Sequence, residues 1–340
     1  MKRLLNTLYV LTPDSYLYVR NEAIAIKVGG EEKLSIPAHN IDGIVCFGQN
    51  TVSTPFLGFC AEKGITVTFV SENGRFLAKV CGPVSGNVLL RRKQYLSLEN
   101  TEFCSETVRM ILYGKIRNSK EVLLRSGRSQ NDEGVKKKIT EAAQSLSKMA
   151  EELAAENDID KMRGIEGAAA TKYFSCFDEM LYSSDFKFNV RSRRPPENEV
   201  NAVLSFVYML LTREVQSALE TVGLDPAVGL LHTLRPGRPS FALDMMEELR
   251  APLCDRFVIS LFNRGQLKAS DFDVKSDAVY LNDSGRKTVI QAWQKRKAET
   301  IQHPFLNEKV EIGIIPYAQA MLYARVLRGD LDKYPPFVWR

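Results

Sequence analysis

The sequence lacks any apolar run that approaches the roughly 18 residues needed to span a membrane. The basic residues near its start, Lys2 and Arg3, are not followed by the apolar stretch of a secretory signal. Its six cysteines are widely spaced and form no C-x-x-C pair, which argues against a disulfide framework and a cysteine zinc site. We therefore expect a cytoplasmic protein with reduced thiols and no membrane segment.

A large excess of one charge is also missing, because 46 Lys and Arg residues stand against 41 Asp and Glu residues, a net charge of +5. This mild basicity alone does not mark a nucleic-acid-binding protein. With 44% hydrophobic and 26% charged residues, the composition is that of an ordinary folded protein. The 340 residues exceed the roughly 250–300 at which one hydrophobic core stops growing, so we predict two domains.

The first quarter of the chain consists of short β-rich runs with period-two alternation, separated by turn residues. One short helix is predicted among them, with Ser53 or Thr54 as its N-cap and Pro55 in its first turn. We predict that residues 1–84 form an N-terminal β-sandwich-like domain of antiparallel hairpins. Exposed strands such as Thr66–Val70 favour pairing with a second copy, so this is the predicted dimerisation domain.

Beyond residue 84 the apolar residues recur at helical spacing. Residues 85–340 are therefore predicted to form a larger all-α C-terminal catalytic domain, which makes the fold class α+β. The aromatic and proline-containing segment Tyr334–Arg340 favours docking onto another surface. The predicted helices are Glu102–Leu124, Asn131–Glu156, Asp158–Tyr182, Asn198–Val222, Ser240–Asn263, Asp283–Glu299 and Lys309–Arg328.

One candidate catalytic residue is an acidic side chain among small ones. Glu166 stands in a predicted helix between Gly164 and the small residues 167–170. Small residues let another helix or a nucleic-acid backbone approach the carboxylate, whereas glycine otherwise costs a helix about 1 kcal/mol. Ordinary helix packing, with Glu166 facing solvent, explains the segment as well.

Three further candidates follow later in the chain. His232, one of three histidines, comes after an apolar run, a position that also suits a buried core histidine. Asp244 and Glu247 are spaced so that both carboxylates lie on one face of a helix. Because Leu, Met and Phe residues surround them and a buried unpaired charge costs several kcal/mol, they must reach water or pair. A bound cation is one such partner.

Carboxylates and one imidazole suit a divalent metal in phosphodiester chemistry, where the ion needs open positions for the scissile phosphate and the nucleophile. The predicted cofactor is Mg²⁺ or Mn²⁺, with the imidazole favouring Mn²⁺. Clusters of cations are candidates for holding DNA phosphates, although solvated surface faces explain them as well. These candidates are Lys172, Arg235 and Arg238, together with Arg91, Arg92 and Lys93.

Four stretches together resemble the integrase of CRISPR adaptation, the CRISPR-associated enzyme that inserts new spacers into the repeat array. The resemblance covers nearly the whole chain, and the combination of motifs looks most like members from type I systems. The four stretches are Arg163–Thr171, Arg193-Arg194-Pro195-Pro196 leading into Asn201–Tyr208, Gly223–His232 and Arg238–Arg250.

This resemblance implies that Glu166, His232 and Glu247 are the metal ligands and that Asp244 is a further catalytic carboxylate. Some members have aspartate at the position of Glu247, and the longer side chain should still bind metal. The implied reaction is attack by the 3′-hydroxyl of a captured DNA on a phosphodiester at the repeat boundary. The implied partners are DNA, a second copy of the chain, a small companion subunit and, in some systems, an iron–sulfur nuclease that trims the DNA ends.

Two other interpretations stay open at this point. A metal-dependent nuclease or junction-resolving enzyme that only hydrolyses DNA would use the same carboxylates, with water as the nucleophile. A non-catalytic DNA-binding or scaffold protein would use Glu166, His232 and Glu247 as structural residues. Strand transfer into a repeat-bearing target separates the first alternative from an integrase, and intact activity in Glu166→Ala would indicate the second.

Overall fold

A computed structural model describes residues 7–72, 76–83, 88–182, 185–193, 195–276 and 278–339. The chain divides into two compact units, Met1–Gly86 with Asp283–Ala292, and Asn87–Asn282 with Trp293–Arg340. The predicted boundary after residue 84 lies outside the described ranges, as does Arg194 of the Arg-Arg-Pro-Pro motif. Among the described helices, none combines the length and the apolar character that a membrane crossing requires.

The first unit is rich in strands, as predicted. Its strands form two four-stranded sheets, in the orders β1-β5-β7-β8 and β4-β3-β2-β6, and both sheets contribute to one hydrophobic core that includes the fully buried Leu17, Ile44 and Phe56. The elements are β1 (Thr7–Val10), β2 (Ser15–Arg20), β3 (Ala23–Val28), β4 (Glu31–Pro37), β5 (Gly43–Phe47), β6 (Asn50–Val52), α1 (Thr54–Glu62), β7 (Thr66–Val70) and β8 (Phe76–Val80).

The strand pairing corrects the expectation of antiparallel hairpins. β2, β3 and β4 are antiparallel, but β1 pairs with β5, β5 with β7 and β2 with β6 in parallel. Parallel neighbours need a crossover connection, which α1 provides between β5 and β7. β7 also lies between β5 and β8, so Thr66–Val70 is not the exposed edge that was predicted. The alternation of apolar and polar residues indicates which face of the sheet a side chain occupies. It does not indicate which strand lies beside it.

Capping side chains fix where several helices begin. Ser53 caps α1 by accepting a hydrogen bond from the Phe56 N–H at 3.2 Å, and Pro55 follows in the first turn, as predicted. Asn and Asp residues cap four long helices of the second unit in the same way. These caps are Asn100, Asp132, Asp158 and Asn198.

The second unit is mainly helical, and the prediction that it is all-α is wrong. Two antiparallel strand pairs, β9 with β10 and β11 with β12, were missed because three or four residues are too few to show a period. The elements beyond the first 86 residues are α2 (Val88–Ser97), α3 (Thr101–Arg128), α4 (Glu133–Ala155), α5 (Ile159–Phe174), α6 (Phe177–Met180), α7 (Glu199–Val222), α8 (Ser240–Leu249), α9 (Arg256–Asn263), β9 (Phe272–Lys275), β10 (Ala278–Leu281), α10 (Asp283–Lys297), β11 (Thr300–Gln302), β12 (Lys309–Glu311) and α11 (Ile315–Arg328). Residues Asp283–Ala292 of α10 belong to the first unit.

The helix predicted at Ser240–Asn263 is interrupted after α8 by a π-helical turn, Arg250–Asp255. Pro252 explains the interruption, because proline has no N–H to donate to the carbonyl four residues earlier, that of Glu248. The side chain of Asn118 donates to this carbonyl instead, at 2.7 Å. Short π-helical turns often occur at functional sites, and this one starts directly after the two candidate carboxylates.

Candidate active site

Asp244 holds the loop that carries His232. It is fully buried on α8, and its carboxylate accepts hydrogen bonds from the backbone N–H groups of Leu230, Leu231 and His232 at 2.6, 3.0 and 2.9 Å. Gly229 allows this loop to lie against α8, because an added Cβ would meet the Cβ of Ser240 at 2.6 Å. Asp244 is therefore satisfied by the protein itself and faces away from solvent.

The same carboxylate orients the imidazole of His232. Nδ1 lies 2.6 Å from Asp244 Oδ1, and Nε2 lies 3.9 Å from Glu247 Oε1. The His232 side chain is 22% exposed, so it is not a fully enclosed core histidine. An imidazole that is held by a carboxylate at one nitrogen and presents the other is the usual arrangement of a metal-binding histidine.

Glu247 is a buried carboxylate between two cations. Arg250 Nη2 lies 3.0 Å from Oε1, and Lys115 Nζ lies 2.7 Å from Oε2. Burial acts to raise the pKa of Glu247, but the positive charges of Arg250 and Lys115 outweigh burial and lower the pKa to about 2. The side chain is therefore an anion at neutral pH.

Glu166 reaches the same place from α5. Its side chain is 25% exposed and contacts the ammonium of Lys115, which thus touches both Glu166 and Glu247. Gly164 and Gly167 are exposed on the same helix, and a Cβ added to either would meet no described atom within 4 Å. Close helix packing within the described chain therefore does not account for these small residues, and the surface beside the carboxylate is open.

These residues fit a divalent cation by their chemistry. Glu247 Oε2 is buried and receives no well-aligned hydrogen bond from a described residue, although the Lys115 ammonium is close. Such a buried anionic oxygen favours a cation, and two carboxylates with an imidazole suit Mg²⁺ or Mn²⁺. No three His, Cys, Asp or Glu residues of the described chain already surround one point. Side chains must therefore shift for Glu166, His232 and Glu247 to bind one ion.

Three basic residues of the site were not predicted. Lys115 comes from α3, and nothing in its spacing marks it, because its contacts with Glu166 and Glu247 depend on how three helices pack. Arg250 follows Glu247 at helical spacing, which could have suggested an ion pair. The Arg163 guanidinium donates to the Leu231 carbonyl at 2.5 and 3.1 Å and ties α5 to the His232 loop.

A cleft that is partly open to solvent is lined by Lys115 and Arg250 of this site. Positively charged side chains, aromatic rings and small residues line it, and such surfaces bind phosphates and stacked bases. Its lining includes Lys115, Ala169, Ala170, Tyr173, Phe174, Arg193, Tyr208 and Arg250.

The cations that were predicted to hold DNA lie on α2, on α5 and in the loop before α8. Arg92 and Lys93 are exposed on α2, and Lys93 donates to the Arg328 carbonyl at 3.3 Å, whereas Arg91 is half-buried. Lys172 is half-buried in the last turn of α5. In the loop before α8, Arg235 is exposed and Arg238 is half-buried. Their proposed contacts with DNA stay predictions.

A further buried carboxylate, Asp255, supports Arg250 through an aromatic ring. Tyr208 donates its hydroxyl hydrogen to Asp255 Oδ1 at 2.5 Å, and the Arg250 guanidinium lies 5.1 Å from the Tyr208 ring centre. Burial raises the pKa of Asp255 to about 6, although the hydrogen bond from Tyr208 opposes the increase. Asp255 thus fixes the Tyr208 ring that contacts Arg250, and Arg250 is an ion-pair partner of Glu247.

The Asp255→Asn substitution should flatten the pH dependence of stability. Because the folded-state pKa of about 6 exceeds the ordinary value of 3.8, the contribution of Asp255 is complete below about pH 4 and is lost as the pH rises through 6. Urea unfolding at several pH values should therefore show a smaller decrease in unfolding free energy for the variant than for the wild type between about pH 4 and 7. Parallel profiles would contradict the raised pKa.

Comparison with known proteins identifies the family. The model for "CRISPR associated protein Cas1" matches residues 8–295. The CRISPR-associated endonucleases Cas1 1 of Chlorobaculum tepidum and Moorella thermoacetica are 49% and 46% identical to the chain, over 100% of both chains in each case. A Cas4 exonuclease/Cas1 endonuclease fusion of Geobacter sulfurreducens is 34% identical over 98% of this chain and 60% of the fusion.

Solved structures share the fold. A casposase bound to an integration product gives a TM-score of 0.84 at 20% identity and covers 99% of this chain and 95% of that chain. A Cas6-RT-Cas1–Cas2 complex gives a TM-score of 0.84 at 21% identity and covers 100% of this chain and 36% of that chain. The relatives define a CRISPR-associated endonuclease. The chain belongs to the Cas1 family, which confirms the predicted resemblance and the endonuclease class.

Proposed function

We propose that Glu166, His232 and Glu247 hold one Mg²⁺ or Mn²⁺ ion. The observation that carries this proposal is the contact series from Asp244 through His232 to Glu247, in which a buried carboxylate fixes Nδ1 and Nε2 points towards an ionised side chain. Asp244 acts as a positioning residue, since its oxygens are already occupied by the His232 loop. A bound ion would polarise the scissile phosphate and activate the attacking hydroxyl.

The proposed reaction is strand transfer into the CRISPR repeat. The 3′-hydroxyl oxygen of a captured DNA forms a bond to phosphorus at the repeat boundary as the bond to the leaving 3′-oxygen of the target strand breaks. Lys115 and Arg250, which flank Glu247, are placed to neutralise charge on the phosphate oxygens. The fold shared with a casposase bound to an integration product supports joining over hydrolysis alone.

The basic cleft is the proposed path of a DNA strand towards the carboxylates. Its cations can bind phosphates, and Phe174 offers a ring for stacking. The open surface at Gly164 and Gly167 lets a sugar-phosphate backbone approach Glu166 without a steric clash. Outside the cleft, the exposed Arg92 and Lys93 on α2 are proposed to make longer-range backbone contacts.

Further partners are proposed from the relatives. Because a Cas6-RT-Cas1–Cas2 complex shares the fold, the small companion subunit is proposed to be of the Cas2 kind. Because a relative is fused to a Cas4 exonuclease, an end-trimming iron–sulfur nuclease is proposed to associate with this chain. Co-purification of each purified subunit with the full chain tests these partners, and failure to co-elute would count against them.

A homodimer formed through a sandwich-like first domain is also proposed. The support is β8, the last strand in the described order of its sheet, where Phe76 and Leu77 are 44% and 51% exposed. Exposed apolar side chains that lie side by side favour association with a second copy. Sedimentation velocity at micromolar concentration tests this, and a purely monomeric protein would contradict it.

The chemistry of the DNA end separates strand transfer from hydrolysis. A labelled duplex with a 3′-hydroxyl and a matched duplex with a dideoxy end are incubated with the protein, the companion subunit, Mn²⁺ and supercoiled DNA that carries a repeat. We expect labelled, joined product from the hydroxyl end alone, because the dideoxy end has no nucleophile. Nicked target without joined product from either duplex would favour the hydrolytic alternative.

A further inference from the structure

The C-terminal segment Tyr334–Trp339 packs inside the second unit. Tyr334 and Phe337 are 1% and 0% exposed, so the segment for which docking was predicted docks on its own chain. This segment lies beyond residues 8–295, the part that the Cas1 family model matches. We call it the C-terminal strap.

The C-terminal strap binds the carboxylate of Glu248, which is fully buried on α8 beside Glu247. The hydroxyl of Tyr334 donates to Oε1 at 2.6 Å, and the backbone N–H of Phe337 donates to Oε2 at 2.8 Å. Gln319 of α11 donates to Oε1 at 2.8 Å and to the Tyr334 oxygen at 2.7 Å. Two of the three groups that donate to this carboxylate therefore belong to the strap, and losing either would leave a buried acceptor short of a partner.

Asn118 joins the C-terminal strap to α3. Its Nδ2 donates to the carbonyls of Glu248 and Phe337, both at 2.7 Å, and its Oδ1 accepts from the Trp339 N–H at 2.8 Å. The Glu248 carbonyl is the one that Pro252 leaves without its helical partner. One buried side chain thus connects α3, α8 and the strap.

Gly114 shows how closely the three elements approach each other. A Cβ added there would meet Pro336 Cβ at 3.0 Å and Glu248 Cβ at 3.1 Å. Lys115, the next residue of α3, contacts both Glu166 and Glu247. The strap and the helix that carries Glu247 therefore both pack against α3 directly beside Lys115.

We infer that the C-terminal strap sets the position of α8 relative to α3, and that Glu248 and Asn118 are positioning residues for the site. They touch neither the proposed metal nor DNA, and they act through Glu247 and Lys115. The consequence for catalysis rests on the proposed function, whereas the ordering of α8 does not. The strap is thus expected to affect metal affinity and turnover, with little effect on DNA affinity.

Two variants of the full chain disturb the strap without touching the site. Tyr334→Phe removes one donor to Glu248, and Gly114→Ala pushes against both Pro336 of the strap and Glu248 of α8. Ile139→Val, a small change to a buried residue of α4, controls for a general loss of stability. Three properties are measured for each variant. They are the hydrogen exchange of residues 240–255, the Mn²⁺ affinity from the electron paramagnetic resonance signal of the free ion, and the steady-state kinetics of joining.

Both strap variants should exchange faster across α8 and bind Mn²⁺ about 10- to 100-fold more weakly, the range known for residues that orient metal ligands. Their kcat should fall with the KM for DNA unchanged, and Ile139→Val should match the wild type in all three measurements. Wild-type exchange and Mn²⁺ affinity in both variants would overturn the inference. If the wild type binds no Mn²⁺ but both variants exchange faster across α8, the inference about the strap holds and the proposed metal site is refuted. If Gly114→Ala fails to fold, Tyr334→Phe alone decides.

Discussion

Replacing Glu247 with glutamine is expected to reduce metal-dependent DNA joining by about 10³-fold or more. The proposed metal contributes several kcal/mol of charge stabilisation in the transition state, and each 1.4 kcal/mol is about tenfold in rate. The variant also leaves Lys115 and Arg250 beside a neutral side chain that is only 4% exposed. Breaking a buried ion pair costs about 3–5 kcal/mol, so the free energy of unfolding should fall as well.

The Glu214→Gln variant separates these two effects. Glu214 is equally buried and pairs with Lys297 at 2.8 Å, and it accepts a hydrogen bond from Trp293 at 2.9 Å. Its replacement should lower the unfolding free energy in the same manner while joining continues at the wild-type rate. Joining is compared at a temperature where both variants are folded by circular dichroism. Wild-type joining by Glu247→Gln would remove Glu247 from the proposed site.

Replacing Asp244 with alanine is expected to lower the unfolding free energy by about 3 kcal/mol or more and to abolish joining. Three backbone N–H groups of the His232 loop lose their acceptor, and each unsatisfied buried group costs about 1–3 kcal/mol. Asp244→Asn keeps the shape but weakens the hold on the imidazole, so Mn²⁺ affinity should fall about 10- to 100-fold. Denaturant unfolding and Mn²⁺ titration measure the two effects.

Asp271 offers a matched control for this prediction. It is a buried aspartate that holds a turn by accepting a hydrogen bond from the Lys268 N–H at 2.9 Å. Asp271→Asn should destabilise the fold and leave Mn²⁺ affinity unchanged. If Asp244→Asn binds Mn²⁺ as tightly as the wild type, Asp244 holds the loop but does not orient a metal ligand.

Local signals in the sequence were sufficient to predict the helix that carries the site. The spacing of Asp244 and Glu247 placed both carboxylates one turn apart, and the structure buries both on α8. The helices predicted at Asp158–Tyr182 and Asn198–Val222 begin at the residues that cap α5 and α7 in the structure. These features depend on neighbours within a few residues, which is why a single sequence reveals them.

The remaining features depend on contacts between distant parts of the chain. Lys115 reaches Glu166 across 51 residues, and its spacing within α3 gives no indication of that contact. Tyr334 reaches Glu248 across 86 residues. The parallel pairing of β1 with β5 likewise depends on strand order, which the alternation of apolar and polar residues does not indicate. The contact of Lys115 with Glu247 is therefore known only from the packing of the helices.

The measurement that tests the central claim most directly is strand transfer of a labelled duplex into repeat-bearing supercoiled DNA as a function of Mn²⁺ concentration. Wild type is compared with Glu166→Gln and His232→Ala, each confirmed to be folded. The proposed site predicts joining that saturates with Mn²⁺, stops on addition of EDTA and is lost in both variants. Joining that persists in EDTA, or that survives in both variants at the wild-type rate, would contradict a metal site at Glu166, His232 and Glu247.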